Sequence, residues 1–397
     1  MIYTAKVSEH IHWVGVNDRS TTFFERVWPL DNGMAYNSYV IVDDKSVLVD
    51  TVHEANTLEL IGRLERVLDG RSLDYIIINH MEPDHSGALP MIASRFPGVK
   101  LIGNKLTKRM IDEYYPNAAE FMEVVDGDEL DLGHHKLKFV ITPWVHWPET
   151  MMTLETTTMT LFSADVFGTF GALDGQIFDD EFDASAYEDE MRRYYSCIVG
   201  KYSKFAQRAL AKLDGVPVKT ICATHGPIWR ENPAWVINKY DVWSRQEGEV
   251  GATIAVASMY GHTLALAEYI ARQLVLNGVR KIKFYDVSKT DMSYIISDVW
   301  RYKGLVLGTV AYNTDMHPKM VALCHELELL GVANKHLGLF GGYSWGGGGV
   351  KGLEKFAASA KLPIVGESVD MYGGADEATL AKADALAKAL AEKILQE

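Results

Sequence analysis

The sequence predicts a two-domain α/β protein, with two sheets flanked by helices in the first domain and a doubly wound parallel sheet in the second. The length of 397 residues matches two or three domains of roughly 150 residues each. Hydrophobic residues make up 48% of the chain and charged residues 23%, which is the balance of a folded globular protein. The spacing of apolar residues changes near position 250, so we expect domains over 1–249 and 250–397.

Strands and helices alternate strictly in the second domain. Apolar residues recur at helical spacing after the first strand, at Leu264, Ala267, Ile270, Ala271 and Leu274. The predicted strands are 252–258, 281–287, 304–310, 335–343 and 363–369, and the predicted helices are 264–278, 294–302, 320–331, one that opens at Val350, and 377–396. Such alternation predicts a doubly wound parallel sheet.

The first domain is less regular. Its predicted strands are 38–43, 46–51, 74–80, 136–143, 159–165 and 218–225, and its predicted helices are 54–70 and a segment that begins near Ala184. This mixture predicts two sheets with helices outside them.

Charge and cysteine content exclude several classes of protein. Lys and Arg number 39 and Asp and Glu number 53, which gives a net charge of −14 and disfavours nucleic acids and anionic membranes as partners. No apolar run approaches the roughly 18 residues that span a bilayer, and the segment MIYTAKVSEHIHWVG lacks a signal-peptide pattern. We therefore expect a soluble, cytoplasmic protein. Cys197, Cys222 and Cys324 are far apart, which excludes a four-thiolate metal site.

The segment NHMEPDHSG, residues 79–87, follows directly on an apolar strand. Three later predicted strands also lead to a potential metal ligand, and open sheets place their sites beyond the carboxyl ends of strands. The candidate ligands are His80, Glu82, Asp84, His85, His146, Asp165 and His225. Seven ligands are too many for one ion but suit two ions that share a carboxylate.

Ordinary structural roles compete with the metal interpretation. An isolated Asp or His at a strand end is more often a cap or turn residue, but buried carboxylates as dense as these are costly without a cation. We expect Asp50 to support the ligand residues without binding a metal ion itself. We assign no ligand role to His53, to the turn residues His134 and His135, which are expected on a solvated face, or to His10 and His12.

Three loops of the second domain follow strands at one edge of the predicted sheet. The first combines hydroxyls with a glycine before a helix, an arrangement that suits a phosphate, whereas an ordinary strand–helix turn is the structural alternative. Glycines in the other two allow close approach to a flat ring, on which Tyr312 or Trp345 can stack. The candidate cofactor-binding residues are Ser258, Met259, Tyr260, Gly261, His262, Thr263, Thr309, Val310, Ala311, Tyr312, Asn313, Gly342, Tyr343, Ser344, Trp345 and Gly346. The G-K-S/T and G-x-G-x-x-G signatures of nucleotide sites are missing from the first loop.

The H-x-E-x-D-H string, together with His146, Asp165 and His225, resembles the metallo-β-lactamase fold. Glu82 stands where the zinc hydrolases of that fold have His, and in this respect the sequence is similar to flavodiiron proteins. The contexts TPWVHWPET, SADVFG and ATHGPIWR extend the likeness, and the second domain supplies the family's flavodoxin-like part. The resemblance implies a metallo-β-lactamase-like αββα sandwich followed by a flavodoxin-like doubly wound parallel sheet.

The resemblance also implies the cofactors, two iron ions and FMN. By the family pattern, His80, Glu82 and His146 hold one iron, Asp84, His85 and His225 hold the other, and Asp165 bridges them. The three loops resemble the FMN-binding loops of flavodoxins. The physical chemistry of the substitution agrees, because an added carboxylate favours harder, more highly charged ions.

The function implied by the resemblance is reduction of dioxygen to water, nitric oxide to nitrous oxide, or both. Dioxygen reduction takes four electrons, which two ferrous ions and one reduced FMN supply together. The resemblance further implies a head-to-tail homodimer or tetramer and an external donor such as rubredoxin. Two alternatives remain: a metallo-hydrolase of the β-lactamase fold fused to a flavodoxin-like domain, and an electron carrier with a structural metal domain. Trp28 and Trp147 either line a dry pocket or belong to the core.

Overall fold

The computed structural model describes residues 3–116 and 118–396, so positions 1, 2, 117 and 397 of the two predicted domains lie outside the described residues. The chain divides into two compact units. The first runs to Tyr195 and includes Tyr202–Asp241, and the second comprises Ser196–Lys201 and the chain from Val242 onward. The predicted boundary at 249/250 falls at the start of the strand Glu249–Ala257, so the second unit begins before that boundary.

The first unit contains most of the short strands. In chain order they are β1 (Ala5–Lys6), β2 (Ile11–Trp13), β3 (Val16–Asp18), β4 (Phe23–Phe24), β5 (Trp28–Pro29), β6 (Met34–Tyr36), β7 (Tyr39–Val42), β8 (Ser46–Val49), β9 (Tyr75–Ile77), β10 (Lys100–Gly103), β11 (Glu120–Glu123), β12 (Glu129–Asp131), β13 (Lys136–Ile141), β14 (Met151–Glu155), β15 (Thr160–Phe162) and β16 (Thr220–Cys222). The helices are α1 (Thr57–Leu68), α2 (Pro83–Ser86), α3 (Leu89–Arg95), α4 (Lys105–Tyr114), α5 (Glu188–Tyr194), α6 (Ser203–Lys212) and α7 (Pro233–Ser244). Shorter helical turns lie at Glu54–Asn56, Asp179–Glu181 and Ala184–Tyr187. Two more, Tyr195–Val199 and Gly200–Tyr202, consist largely of the residues Ser196–Lys201 that belong to the second unit.

Two sheets of the first unit pack on each other. One has the order β1-β2-β7-β8-β9-β10-β11 and becomes parallel from β8 onward, and the other has the order β12-β13-β14-β15-β16, with only β15 and β16 parallel. Val49 and Ile77 of the first sheet share a core with Phe139 and Phe162 of the second. β3 pairs antiparallel with β6, and β4 and β5, which lie between them in the chain, form a short hairpin. The arrangement agrees with the predicted pair of sheets.

Local sequence explains how the helices of the first unit begin and end. In α1, Leu60, Leu64 and Leu68 are buried at four-residue spacing, so one face of the helix packs on the sheet. The helix ends at Asp69, which has a positive φ of 48°. The side chain of Asn104 caps α4 by accepting hydrogen bonds from the N–H groups of Leu106 and Thr107.

Each predicted strand of the first unit contains an observed strand that is shorter, and the residues after it form a loop. The sequence did not predict β1 to β6, β10, β11, β12 or β14. All five residues of β14 are buried, so it lacks the alternation that marks a half-exposed strand. Among the described residues, no helix combines the length and the apolar character needed to cross a bilayer.

The second unit is built on one sheet. Its strands are β17 (Glu249–Ala257), β18 (Ile282–Asp286), β19 (Tyr302–Tyr312), β20 (Asp315–Met316), β21 (His336–Tyr343) and β22 (Val369–Tyr372), and its helices are α8 (His262–Leu276), α9 (Met292–Arg301), α10 (Pro318–Leu329), α11 (Gly349–Ser359) and α12 (Glu377–Leu395). The order β18-β17-β19-β21-β22 is parallel throughout, and β20 pairs with β19. This is the 2-1-3-4-5 order of doubly wound flavodoxin-like sheets, so the predicted fold class is confirmed.

The last predicted strand, 363–369, is wrong in position. Ile364 makes only an isolated bridge with Leu337. Gly366 has a φ of +74°, which turns the chain, and the strand begins at Val369. Tyr302, predicted as the end of a helix, is the first residue of β19.

Lys335 provides a test of the packing of the second unit. Its side chain is 1% exposed and donates a hydrogen bond to the carbonyl of Tyr302 at 3.0 Å, and burial lowers its pKa to about 7. Between that pH and about 10.5 the unfolded chain binds a proton that the folded chain does not, so stability rises with pH. We expect Lys335→Met to raise the free energy of unfolding by about 3 kcal/mol more at pH 7 than at about pH 10, because the protonated lysine destabilises the folded chain most at the lower pH. Urea unfolding at both pH values measures this, and an equal gain at both would contradict it.

Candidate metal centre and cofactor pocket

The predicted metal ligands lie in loops that follow strands of both sheets. His80, Asp165 and His225 each stand three residues beyond the end of a strand, β9, β15 and β16 respectively. Glu82 immediately precedes α2, and that short helix carries Asp84 and His85. His146 lies in the loop between β13 and β14. The stacked sheets therefore bring all seven residues to one edge.

The seven side chains form two groups whose ligand atoms lie close together. Within each group these atoms are within 4.8 Å of one another, and the groups are His80, Glu82, His146 and Asp165, and Asp84, His85 and His225. In the first group, Oε2 of Glu82 lies 3.2 Å from Nε2 of His80 and 3.0 Å from Nε2 of His146. In the second, the Nε2 atoms of His85 and His225 are 3.0 Å apart.

Asp165 faces both groups, one oxygen to each. Its Oδ2 lies 3.2 Å from Nε2 of His146 and 3.5 Å from Nε2 of His80. Its Oδ1 lies 3.1 Å from Nε2 of His85 and 3.6 Å from Nε2 of His225. Thr224 donates a hydrogen bond from Oγ1 to Oδ1 at 2.6 Å, which fixes the orientation of the carboxylate.

Hydrogen bonds on the far side of two imidazoles determine which nitrogens are available. Nδ1 of His225 lies 2.8 Å from the carbonyl oxygen of Ala35, and Nδ1 of His80 lies 2.9 Å from Oε1 of Glu149. A carbonyl and a carboxylate only accept, so each Nδ1 carries the proton and each Nε2 presents a lone pair to the cluster. This is the arrangement of metal-ligating histidines.

The electrostatics of the cluster favour cations. Burial alone would lower the pKa of His80, but the carboxylates of Asp165, Glu149 and Glu82 raise it well above its usual value. Likewise, burial would raise the pKa of Asp165, yet the imidazoles of His85, His80 and His146 hold it well below its usual range. Desolvation and the charges of Glu82 and Asp84 raise the pKa of Glu25, in the β4–β5 hairpin, to about 7. The carboxylates thus create a strongly negative potential.

The residues present fit a metal centre. Both carboxylate oxygens of Asp84 are buried without a hydrogen-bond partner among the described residues, and such a group is costly unless a cation lies beside it. Four imidazoles with three carboxylates match iron or zinc, and the anionic Glu82 favours the harder ferric state. Two groups that share one carboxylate match two ions.

Aromatic side chains surround the cluster. The ring of Trp147 packs edge-on against His80, 5.3 Å between centroids. Phe24, Tyr36 and Tyr194 pack around His225, with centroids 5.6 to 5.8 Å away. Trp28 is buried in the β4–β5 hairpin and is 4% exposed. The surroundings of the cluster are therefore largely apolar.

Other candidate residues lie outside the two ligand groups. Asp50 is buried and accepts hydrogen bonds from the N–H and side-chain amide of Asn79, so it anchors the loop that carries His80, as expected. The prediction of a solvated face is wrong for His135, because its side chain is buried and pairs with Glu155 at 3.0 Å. His134 is exposed, and His53 caps a helical turn. Glu149 and Thr224 were missed, although WPET and ATH contain them.

The second unit has a cavity of about 400 Å³ at the carboxyl ends of β17, β19 and β21. It is lined by the predicted residues Ser258, Met259, Tyr260, His262, Thr263, Val310, Ala311, Asn313, Gly342, Tyr343, Ser344, Trp345 and Gly346, and also by Thr314, Met371 and Gly373. It lies where the strand order reverses between β17 and β19, which is the ligand site of such sheets. The side chain of Trp345 is 91% exposed, so its ring is free to cover a ligand.

Three predicted residues do not line this cavity. Gly261 shapes the first loop instead, with a φ of +95° and an N–H that bonds to Oγ of Ser258 at 3.1 Å. Thr309 is buried beneath the second loop and accepts a hydrogen bond from the N–H of His317. Tyr312 points its ring toward His317, 6.3 Å between centroids. The lining residues Met371 and Gly373 were not predicted, because the last strand was predicted at 363–369 and lies at Val369–Tyr372.

Known protein families match the two units of the chain separately. Residues 34–226 match the family model described as ODP family beta lactamase, and residues 254–394 match that of flavodoxin. The anaerobic nitric oxide reductase flavorubredoxin of Aeromonas hydrophila is 35% identical over 90% of this chain and 73% of that protein. The chain belongs to the flavodiiron protein family. A flavorubredoxin of Escherichia coli is 34% identical over 87% of this chain and 74% of its own length.

Solved structures of flavodiiron proteins share the whole fold. Rubredoxin oxygen:oxidoreductase from Desulfovibrio gigas superposes with a TM-score of 0.94 at 26% identity, covering 99% of this chain and 98% of that one. A single-site mutant of the flavo di-iron protein from Thermotoga maritima gives a TM-score of 0.92 at 26% identity and covers 99% of both chains. The predicted αββα sandwich and flavodoxin-like domain are confirmed.

Membership of the flavodiiron family confirms the predicted class of enzyme. The chain is an oxidoreductase, and these relatives support that interpretation over the metallo-hydrolase alternative. FMN and a non-haem diiron centre are the cofactors of the family, and both units of this chain have a site that fits the respective cofactor.

Proposed function

We propose that this protein reduces nitric oxide to nitrous oxide, dioxygen to water, or both, at the seven-residue cluster. The supporting observation is the position of Asp165, which presents one oxygen to each of two buried ligand groups. A carboxylate shared in this way would hold two ions close together, and the two ions together would supply the binding and the reduction of a diatomic gas.

The seven residues act as ligands in this proposal. His80, Glu82 and His146 would hold the first iron and Asp84, His85 and His225 the second, and Asp165, which faces both groups, would be shared between them. Two irons bound here would supply substrate binding and electrons, and FMN would replace those electrons.

The chain's own residues prepare the site for small uncharged gases. Trp147, Phe24 and Tyr194 surround the ligands with aromatic surface, which disfavours water and charged molecules but admits nitric oxide and dioxygen. Thr224 and Ala35 hold Asp165 and His225 in fixed orientations through hydrogen bonds. Preorganised ligands of this kind need no rearrangement when substrate enters.

The cavity of the second unit is the proposed FMN site. Ser258, His262 and Thr263 line it at the start of α8, where helix N–H groups and the helix dipole favour the phosphate. Gly342 and Gly346 allow the third loop to approach the flavin ring, and Trp345 stacks on that ring.

We expect Trp345→Ala to weaken FMN binding by about 2- to 12-fold, because stacking on an aromatic ring contributes about 0.5–1.5 kcal/mol. Tyr312→Ala is the matched control, since Tyr312 lies in a neighbouring loop but does not line the cavity. Titration of the flavin-free chain with FMN, followed by flavin fluorescence, measures both affinities. Equal losses in the two variants would contradict the assignment of Trp345.

We propose rubredoxin as the electron donor, held outside these 397 residues because Cys197, Cys222 and Cys324 cannot form its iron site. We further propose a cytoplasmic location and a head-to-tail homodimer or tetramer, in which the flavin of one copy serves the metal centre of another. Sedimentation of an active monomer would contradict the assembly.

Rapid mixing tests the proposed function. The protein is loaded with iron and FMN and fully reduced. It is then mixed with nitric oxide and, in a separate experiment, with dioxygen, and the reoxidation of the flavin is followed in each case. We expect two irons and one FMN per chain and fast reoxidation by at least one gas. A protein that holds only zinc, or that reacts with neither gas, would overturn the proposal.

A further inference from the structure

Glu149 is a buried carboxylate directly behind the candidate metal centre, and it belongs to neither ligand group. Its side chain is 0% exposed. Oε1 accepts two hydrogen bonds, from Nδ1 of His80 at 2.9 Å and from the N–H of Met81 at 2.8 Å. Oε2 has no hydrogen-bond partner among the residues that the structure describes. The side-chain carboxylate of Glu149 therefore contacts its partners through one oxygen only.

The negative charge of Glu149 exceeds what hydrogen bonding requires. A glutamine at this position would satisfy the same two donors with its single carbonyl oxygen. A buried carboxylate with an unpartnered oxygen is destabilising unless positive charge lies near it. The imidazole of His80 lies between this charge and the first ligand group, because Nδ1 bonds to Glu149 and Nε2 faces the group. A cation bound by Nε2 would therefore be stabilised by the charge of Glu149.

The two ligand groups differ in this respect. Behind His225, in the second group, the partner of Nδ1 is the neutral carbonyl of Ala35 at 2.8 Å. Nδ1 of His85 has no partner within the described part of the chain. The structure identifies a hydrogen-bond partner of Nδ1 for His80 and for His225, and the partner is anionic for His80 alone of these two. An anionic partner makes the opposite nitrogen a better electron donor to a metal.

We propose that Glu149 is a positioning residue that makes the group of His80, Glu82 and His146 the tighter of the two metal-binding groups. It fixes the tautomer of His80 and strengthens the donor character of Nε2. The inference rests on the proposed function, in which both groups bind metal. It concerns the order of affinity, which the ligand assignment by itself leaves open.

Metal binding by the full chain tests this inference. The metal-free protein is titrated with Zn²⁺ by calorimetry, in wild type and in Glu149→Gln. We expect the variant to lose about 10–100-fold in affinity at the tighter site and to keep the affinity of the weaker site. Glu155→Gln is the matched control, because Glu155 is also buried and pairs with His135 at 3.0 Å away from the cluster. It should leave both affinities unchanged.

A measurement on the wild type keeps the test independent of the folding of any variant. In protein labelled with ¹⁵N-histidine, the first equivalent of Zn²⁺ should shift the nitrogens of His80 and His146, with the proton of His80 on Nδ1. The inference is overturned if His85 and His225 respond first, if His80 carries its proton on Nε2, or if Glu149→Gln weakens both sites equally or neither. A chain that binds no Zn²⁺ at either group overturns the proposed metal centre itself.

Discussion

Replacing Asp165 with asparagine should reduce the iron content from two ions per chain to one and lower the rate of gas reduction more than about 100-fold, since even an outer partner is worth about 10–100-fold. Thr224 donates a hydrogen bond to Oδ1, and an amide oxygen accepts that bond equally well. The amide nitrogen therefore takes the place of Oδ2, which faces His80 and His146. An amide nitrogen has no lone pair for a metal.

The expected loss is therefore specific to the first ligand group. Iron analysis, with Mössbauer spectra of ⁵⁷Fe-loaded protein, reports how many ions remain and in which environments. Asp179→Asn is the control, because Asp179 is a buried carboxylate of the same unit that accepts backbone hydrogen bonds from Arg230, Glu231 and Asn232. If Asp165→Asn retained two irons and full turnover, Asp165 would not bridge them.

The sequence was informative about the candidate metal centre because three of its proposed ligands lie close to strand ends. His80, Asp165 and His225 each follow a strand by three residues, so a correct strand prediction also places the ligand. Glu149 could not be recognised in this way. Its role depends on a hydrogen bond to a residue 69 positions earlier, and contacts between distant loops leave no local periodicity in the sequence.

The cofactor pocket shows the same limit. The strand–loop–helix pattern was sufficient to place Ser258 and Trp345 at one edge of the sheet. It could not distinguish Trp345 from Tyr312, because both aromatic residues lie in loops after parallel strands and only the turn of each loop decides where a ring points. Met371 was missed because Gly366 delays the final strand, a backbone effect that apolar spacing does not reveal.

We expect the charge of Glu82 to direct this centre to redox chemistry and away from hydrolysis. Its Oε2 lies 3.0 Å from Nε2 of His146 and 3.2 Å from Nε2 of His80, so it supplies an anionic oxygen to the first group. Glu82→His would replace this oxygen with a neutral nitrogen, giving the second position that zinc hydrolases of the fold have. Fewer carboxylates disfavour ferric iron and leave an imidazole-rich site that suits zinc.

We therefore expect Glu82→His to lower the rate of gas reduction more than about 100-fold and to shift the metal content of protein purified from rich medium from iron toward zinc. FMN content and reduction of the flavin by an external donor should stay unchanged, because the second unit holds FMN through its own loops. Metal analysis and rapid mixing with nitric oxide and dioxygen measure both effects. Two results would show that the charge of Glu82 does not direct this centre to redox chemistry. One is an unchanged rate of gas reduction in Glu82→His, and the other is hydrolysis of thioesters by both the wild type and the variant.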